Sequence, residues 1–220
     1  MFIKKAFALM SILFVLVACD GKSEKKIQET KKSRYTQKVN DSLYKNDYFG
    51  FTVELPKGWY SQSYAETEAL ADQGGDVLAG DDETLKAQLK AAKKQTYNLF
   101  GFFEHPVGSP VPFNPNCLAI AESVSMAPGV KTGKDYFFHL KKVLNGGQVK
   151  YTFVPGYKTI QISGRKFDVL EGSITMNGIL IKQKYNVRIQ DGFAFGLIQT
   201  YSTDEGMMKT GKVLQTLKFN

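Results

Sequence analysis

Histidine and tryptophan are scarce in this chain of 220 residues, and that scarcity limits the chemistry it can perform. The only histidines are His105 and His139, and the chain has one tryptophan and two cysteines. Zinc sites draw on several His or Cys ligands at short spacing, and no such cluster occurs. Gly-x-Ser-x-Gly elbows and Gly-rich phosphate loops are also missing. We therefore expect no enzyme, no cofactor and no metal, with both histidines in structural roles.

The sequence also lacks an apolar run long enough to span a bilayer at its N-terminus. The run from Ala6 to Ala18, broken only by Ser11, is shorter than the roughly 20 apolar residues that a membrane helix needs. Lys4 and Lys5 precede it, and a charged start followed by a short apolar middle is typical of a secretory signal peptide. We predict that residues 1–18 are a signal peptide.

The end of this run, Leu16-Val17-Ala18-Cys19, resembles the lipobox of bacterial lipoproteins. The resemblance implies that the chain is cut before Cys19, which becomes an acylated first residue. Each buried acyl CH₂ contributes about 0.8 kcal/mol, so two or more chains hold a protein firmly on its membrane. Asp20 resembles the signal that keeps enteric lipoproteins in the inner membrane. The predicted location is therefore the cell membrane, lipid-anchored on the extracytoplasmic side; an ordinary cleavable signal is the alternative.

Cys117 has no disulfide partner if Cys19 is acylated, so we expect no internal disulfide. It lies in the apolar run 117–121, where a small apolar core residue is the simplest interpretation.

The segment that follows Cys19 is polar and rich in lysine, and such a composition cannot bury enough apolar surface to fold. We predict a flexible tether over residues 19–46. The formal net charge of +8 falls to +6 when Lys4 and Lys5 leave with the signal peptide. Anionic head groups attract juxtamembrane Lys and Arg by about 1 kcal/mol each. The expected partners are membrane lipid, through the acylated Cys19, and an envelope protein, but no nucleic acid.

A folded domain is predicted over residues 47–220, and it opens with an amphipathic strand. Apolar side chains alternate from Phe49 to Leu55, residues 56–58 form a turn, and Trp59 is expected to pack back on the core. An aromatic strand ending in Leu-Pro-x-Gly-Trp resembles the opening of the PsbP-like and Mog-like superfamily, to which bacterial lipoproteins of the DcrB type are similar.

Apolar periodicity and charge placement predict the elements that follow. Helices are predicted over residues 64–75, 80–95 and 132–144, and strands over 97–103 and 117–126. We expect Asn145-Gly146-Gly147 to end the third helix in a left-handed conformation. A capping box of Ser202 and Glu205 predicts the start of a C-terminal helix.

Three tight-turn pairs, Ser163-Gly164, Asn177-Gly178 and Asp191-Gly192, predict a meander of four antiparallel strands. In its third strand one face is apolar and the other is polar. Lys182, Lys184 and Arg188 lie on that polar face and form a possible basic interaction face. Lys141, Lys142 and Lys150 are candidates to extend it. A solvated strand face is the alternative.

The order of the predicted elements indicates an α+β fold, with an antiparallel β-sheet and helices on both faces. This α/β/α sandwich resembles the PsbP-like fold, whose known members are mostly interaction or assembly factors. The resemblance implies a membrane-anchored accessory lipoprotein, a non-enzymatic interaction or assembly module of the cell envelope. The alternative is an envelope lipoprotein that binds a small ligand in a pocket between the sheet and residues 64–95.

Overall fold

The computed structural model describes residues 37–40 and 42–220 of the chain. The predicted signal peptide, Cys19 and residues 20–36 of the predicted tether lie outside the described residues. The helices of the described part are α1 (Tyr64–Ala79), α2 (Glu83–Lys93), α3 (Gly133–Gly146) and α4 (Asp204–Gln215). Its strands are β1 (Gln37–Asn40), β2 (Leu43–Asn46), β3 (Phe51–Glu54), β4 (Tyr60–Ser61), β5 (Thr96–Phe103), β6 (Asn116–Ser123), β7 (Thr152–Phe153), β8 (Lys158–Ile162), β9 (Arg165–Met176), β10 (Ile179–Gln190), β11 (Phe193–Tyr201) and β12 (Lys218–Phe219).

The strands form a large sheet and a small sheet, and the paired strands in both are antiparallel. The large sheet has the order β4-β5-β6-β11-β10-β9-β7, with β8 also paired to β9. The small sheet has the order β1-β2-β3-β12. Since β12 is the last strand and joins β3, the two ends of the domain meet in the small sheet.

Each face of the large sheet is covered by its own hydrophobic core. On one face, side chains of α1, α2 and α3, such as Leu70, Leu85 and Phe137, belong to one core with the sheet residues Leu118 and Tyr185. The opposite face is covered by the small sheet and α4, in a core built of the residues Phe51, Phe100, Phe102, Phe195, Val213 and their neighbours. The α+β prediction, with helices on both faces of an antiparallel sheet, is confirmed. The second face is shared between α4 and the small sheet.

The folded part begins before the predicted boundary at residue 47. Strands β1 and β2 lie inside the segment predicted to be a tether, and β2 pairs with β3 so that Tyr44 lies opposite Val53. The Tyr44 side chain is buried, and its hydroxyl donates a hydrogen bond of 2.6 Å to the Leu99 carbonyl. Composition concealed this strand because few of its side chains are apolar, and the stabilising contacts come from the neighbouring sheet.

The predicted meander is confirmed as β8-β9-β10-β11. Ser163, Asn177 and Asp191 all have φ near +50°, and the glycine after each also has a positive φ. This is the geometry of two-residue hairpin turns, where the backbone twist of the turn matches that of the strands. The predicted packing of Trp59 is also confirmed, since it lies partly buried against the core beneath the small sheet.

Several helix ends differ from the predicted ones. Helix α1 continues to Ala79, past the predicted end at residue 75, and α2 spans Glu83–Lys93 and not residues 80–95. Helix α4 begins after Thr203, whose hydroxyl accepts a hydrogen bond from the Gly206 N–H, and not after a Ser202 capping box. Glu205 instead forms an ion pair with Lys209 one turn along the helix, with 2.7 Å between the charged atoms. Helix α3 ends at Gly147 in an extended conformation with φ −83° and not in the left-handed one. Packing against α1 fixes this glycine.

The adjacent glycines at the end of α3 give a matched pair for testing this packing. A Cβ atom on Gly147 would lie 2.3 Å from Leu78 Cδ1 and 2.7 Å from the Leu78 carbonyl oxygen, whereas one on Gly146 would have no neighbour within 4 Å. We expect Gly147→Ala to lower the free energy of unfolding by about 1–3 kcal/mol. Gly146→Ala should leave it unchanged or raise it slightly, since alanine is the better helix former. Chemical denaturation measures both, and equal midpoints for the two variants would contradict the packing.

Candidate functional site

The basic residues predicted on β10 lie on the side of the large sheet that faces α4 and the small sheet. Lys184 is covered by α4, with its Nζ 3.9 Å from Met207 Sδ. Asn186, between Lys184 and Arg188, is only 1% exposed and donates a hydrogen bond of 2.9 Å to the Leu197 carbonyl. Lys182, Lys184 and Arg188 therefore share one face of a strand without forming a continuous exposed surface.

Arg188 is part of the packing beneath the small sheet. Its guanidinium lies 5.8 Å from the ring centroids of both Phe167 and Phe219. Burial, and then the nearby charge of Arg165, lower its pKa from the ordinary value. Its Nε and Nη1 are buried, and within the described residues neither has a hydrogen-bond partner. Arg188 thus contacts aromatic rings at the edge of the core. Sequence periodicity alone did not reveal that another layer covers this face of β10.

Helix α3 carries the other predicted lysines on the opposite face of the sheet. Lys141 and Lys142 belong to this helix, and Lys150 follows it before β7. Because the core of the large sheet separates α3 from α4, these lysines do not extend the basic face of β10. The structure divides the predicted basic patch into two separate groups.

The outer side of α3 combines exposed aromatic and basic side chains. We call this surface the aromatic–basic face; its members are Lys134, Phe138, Lys141, Lys142 and Tyr157. The first four follow the helical spacing of three and four residues that places side chains on one side. Phe138 is 69% exposed, which is unusual for a phenylalanine.

Tyr157, from the connection between β7 and β8, joins this face through ring contacts. Its ring centroid lies 5.5 Å from that of the buried Phe137. The Nζ of Lys141 lies 4.7 Å from the Tyr157 centroid and 5.5 Å from the Phe153 centroid. Ammonium groups at these distances are attracted to the ring face. The Lys141 ammonium group therefore lies over these two rings.

Beside this face, a small pocket opens between the end of β6, the following loop and α3. Its lining residues are Gln95, Glu122, Ser123, Val124, Met126, Ala127, Val130, Tyr136 and His139. The His139 ring contacts Phe138, with 5.3 Å between centroids, so the pocket borders the aromatic–basic face. The free space inside is about 20 Å³, which is close to the room that one water molecule needs.

Glu122 brings a buried carboxylate to the wall of this pocket. Its side chain is 2% exposed, and Oε2 accepts a hydrogen bond of 2.9 Å from the Tyr136 hydroxyl. Burial and the adjacent Glu122 carboxylate raise the pKa of Tyr136 well above its ordinary value. Tyr136 therefore stays protonated and acts as a donor at neutral pH. Sequence periodicity missed Glu122, although an acidic residue at the end of an apolar strand was a visible signal.

A second buried polar cluster lies deeper along the same side of the sheet. The Gln183 side-chain oxygen accepts hydrogen bonds from the Tyr185 hydroxyl at 2.6 Å and from the Tyr151 hydroxyl at 3.2 Å. Its amide nitrogen lies 3.3 Å from the Thr200 hydroxyl oxygen. Burial raises the pKa of Tyr151 to about 12. The members of this cluster satisfy one another, which is what buried polar groups require.

The other two residues considered for chemistry, His105 and Cys117, do not line the pocket beside Glu122. His105 lies in the loop between β5 and β6, where its backbone N–H and carbonyl both bond to the Asn114 side chain. Cys117 is fully buried, and burial raises the pKa of its thiol, so the prediction of a core residue is confirmed. Within residues 37–40 and 42–220, no three His, Cys, Asp or Glu side chains are grouped to hold a metal ion. No helix in the same part is long and apolar enough to cross a membrane.

Comparison with solved structures identifies the architecture. The solution structure of a cyanobacterial PsbP protein, CyanoP from Synechocystis sp. PCC 6803, matches over 93% of this chain and 99% of its own, with a TM-score of 0.50 and 12% sequence identity. The fold is PsbP-like. LpqN of Mycobacterium tuberculosis, described as involved in cell envelope biogenesis, matches 88% of this chain and 96% of its own at 15% identity, with a TM-score of 0.37. No protein-family model matches the sequence, and no curated protein matches it significantly.

Removing the Tyr136 hydroxyl tests the structural role of the Glu122 hydrogen bond. We expect Tyr136→Phe to lower the free energy of unfolding by about 1–3 kcal/mol, because a buried carboxylate loses a donor. Tyr157→Phe is the control, since that ring is 37% exposed, and its change should stay within about 0.5 kcal/mol. Urea denaturation of the two variants supplies the comparison. A Tyr136→Phe variant as stable as the Tyr157→Phe control would show that the hydrogen bond does not stabilise the fold.

Proposed function

We propose that this protein is a membrane-anchored accessory lipoprotein of the cell envelope that acts by binding and not by catalysis. The observation that carries the proposal is the sequence Leu16-Val17-Ala18-Cys19 after a short apolar run with two lysines before it. Acylation of Cys19 places the PsbP-like domain at the extracytoplasmic surface of the cell membrane, and Asp20 favours the inner membrane.

The distribution of polar groups supports a binding role. Glu122 and Tyr136 bond to each other, and Gln183, Tyr185 and Tyr151 form a buried cluster in which polar groups are used to complete the fold. The apolar and charged side chains of the aromatic–basic face are instead presented to the surroundings. Exposed apolar side chains rimmed by polar ones are typical of interaction sites. We therefore assign the binding role to this exposed face and not to the buried polar groups.

The alternative is binding of a small ligand. Ligand pockets usually enclose about 300–1,000 Å³ and bury most of the ligand. The pocket beside Glu122 has about 20 Å³ of free space, far less than such a ligand requires. Of the segment 64–95, only Gln95 lines this pocket, so the pocket gives no support to a ligand site between the sheet and that segment.

Replacing Cys19 tests the lipid anchor directly. We expect Cys19→Ser to abolish incorporation of labelled fatty acid and to shift the protein from the membrane fraction to the soluble fraction, because the acyl chains supply the anchoring free energy. Cys117→Ser is the control, since that thiol is fully buried in the domain and the variant should keep the label. Fatty acid still incorporated into Cys19→Ser would overturn the anchor.

Co-purification tests the accessory role. The lipidated protein, solubilised from envelopes in mild detergent, should recover a second envelope protein in stoichiometric amount. A variant with Lys134, Phe138 and Lys142 all changed to Ser keeps Cys19, so we expect it to be acylated like the unaltered chain. A solubilised protein that migrates alone in every detergent tested would contradict an assembly role.

A further inference from the structure

We infer that the aromatic–basic face docks on the surface of an anionic phospholipid bilayer. This inference rests on the proposed function, because the anchor supplies the membrane to which the face would bind. The face then determines which side of the domain is turned towards the lipid and which side, with α4, is left for other contacts.

The apolar component of the face is Phe138 together with the ring of Tyr157. The buried stripe of α3 contains Tyr136, Phe137 and Leu140. Phe138 lies outside this stripe, so its side chain takes no part in the core. Met126 lies across the adjoining pocket and is 52% exposed. Aromatic and apolar side chains of this kind bury about 5–10 Å deep at the boundary between head groups and acyl chains.

The charged component consists of lysines that form no ion pair with an acidic residue in the part of the chain that the structure describes. Lys134, Lys141 and Lys142 take part in none of the ion pairs found within residues 42–220. Asp135 is the acidic residue of α3, and its carboxylate accepts hydrogen bonds from the N–H groups of Lys131 and Thr132 at the helix start. The exposed charges of Lys134 and Lys142 are therefore available to anionic head groups, each contributing about 1 kcal/mol, whereas the Lys141 ammonium lies over the Tyr157 and Phe153 rings.

This arrangement fits a bilayer better than a protein partner. Lysine stems are long and flexible, so they can lie along an apolar surface while their ammonium groups reach phosphates, whereas protein interface cores are depleted of lysine. The part of the predicted 19–46 tether that precedes β1, residues 19–36, is also long enough for this orientation. Fully extended it would span about 60 Å, twice the roughly 30 Å thickness of three packed layers. Its attachment to β1, on the small-sheet side, therefore does not prevent α3 from reaching the membrane.

Depth-dependent fluorescence quenching tests the inference on the full lipidated chain. A tryptophan is introduced by Phe138→Trp, and the control is Met208→Trp, at a residue of α4 that is 59% exposed on the other side of the sheet. The unaltered chain, whose single tryptophan is Trp59, gives the baseline. Each protein is reconstituted in vesicles that contain brominated lipid, made either of phosphatidylcholine alone or with phosphatidylglycerol added.

In the anionic vesicles, we expect the added fluorescence of Phe138→Trp to fall by about half, because the ring lies at the depth of the upper acyl chains. The signal of Met208→Trp should not change. In phosphatidylcholine vesicles, or in 1 M salt, where the Debye length is about 3 Å, the Phe138→Trp signal should recover. Changing Lys134 and Lys142 to Glu should abolish the quenching, and the matched change of the exposed Lys212 and Lys218 to Glu should not.

Flotation of the same samples separates this inference from the proposed anchor. Protein that floats with anionic vesicles without quenching at Phe138→Trp would overturn the docking face and leave the anchor intact. An acidic protein would then be the partner that the lysines fit. Quenching at Phe138→Trp after Cys19→Ser would support the face independently of the acyl chains. Equal quenching at Phe138→Trp and Met208→Trp would also overturn the face, since no side of the domain would be preferred.

Discussion

Burial of the central strands on both faces is the constraint on which the rest of the structure depends. β6 and β11 are buried along nearly their whole length, and successive side chains of a strand point to opposite faces. Leu118 and Ile120 enter the helix-covered core, whereas Cys117, Ala119 and Ala121 enter the core beneath the small sheet. The small side chains on that second face leave room for the rings of Phe100 and Phe195. Each face therefore needs its own covering layer, and the large sheet is stable only between the two.

The same constraint decides where binding can occur. Because both faces of the sheet are covered, the basic side chains of β10 are only partly exposed: the Lys184 Nζ lies 3.9 Å from Met207 Sδ, and Arg188 contacts Phe167 and Phe219. Inside the layers, polar groups such as Glu122 and Gln183 bond to neighbouring hydroxyls, because an unpaired buried polar group is costly. The outward side of the covering helices is left for recognition. Phe138, on the outer side of α3, is the clearest example of a side chain that the core does not use.

Local chemistry explains which elements the sequence predicted well. The Ser163, Asn177 and Asp191 turns were predictable because a two-residue hairpin depends on residues that tolerate positive φ. Helices α1, α2 and α3 were predictable from apolar spacing and charge at their ends. The start of α4 was misplaced by one residue, because Ser202 and Thr203 are both good cap residues and it is the Thr203 hydroxyl that accepts from the Gly206 N–H. The extended Gly147 was not predictable, because it packs against Leu78 of α1. Glu122 could have been singled out because it is an acidic residue in an apolar strand. The exposed face of α3 could have been singled out because Phe138 lies outside the apolar stripe of that helix.

Taken alone, the sequence determined the features that depend on a few neighbouring residues: the short apolar run ending at Cys19, the hairpin turns, the helical stripes and the lack of clustered histidines. It did not determine which surfaces are covered. The β2 strand, with its buried Tyr44, and the separation of the β10 lysines from those of α3 exist only because distant segments pack together. The physical reason is that burial depends on the neighbours a side chain meets in three dimensions, and a strand's polar face is the same in sequence whether water or another layer lies against it.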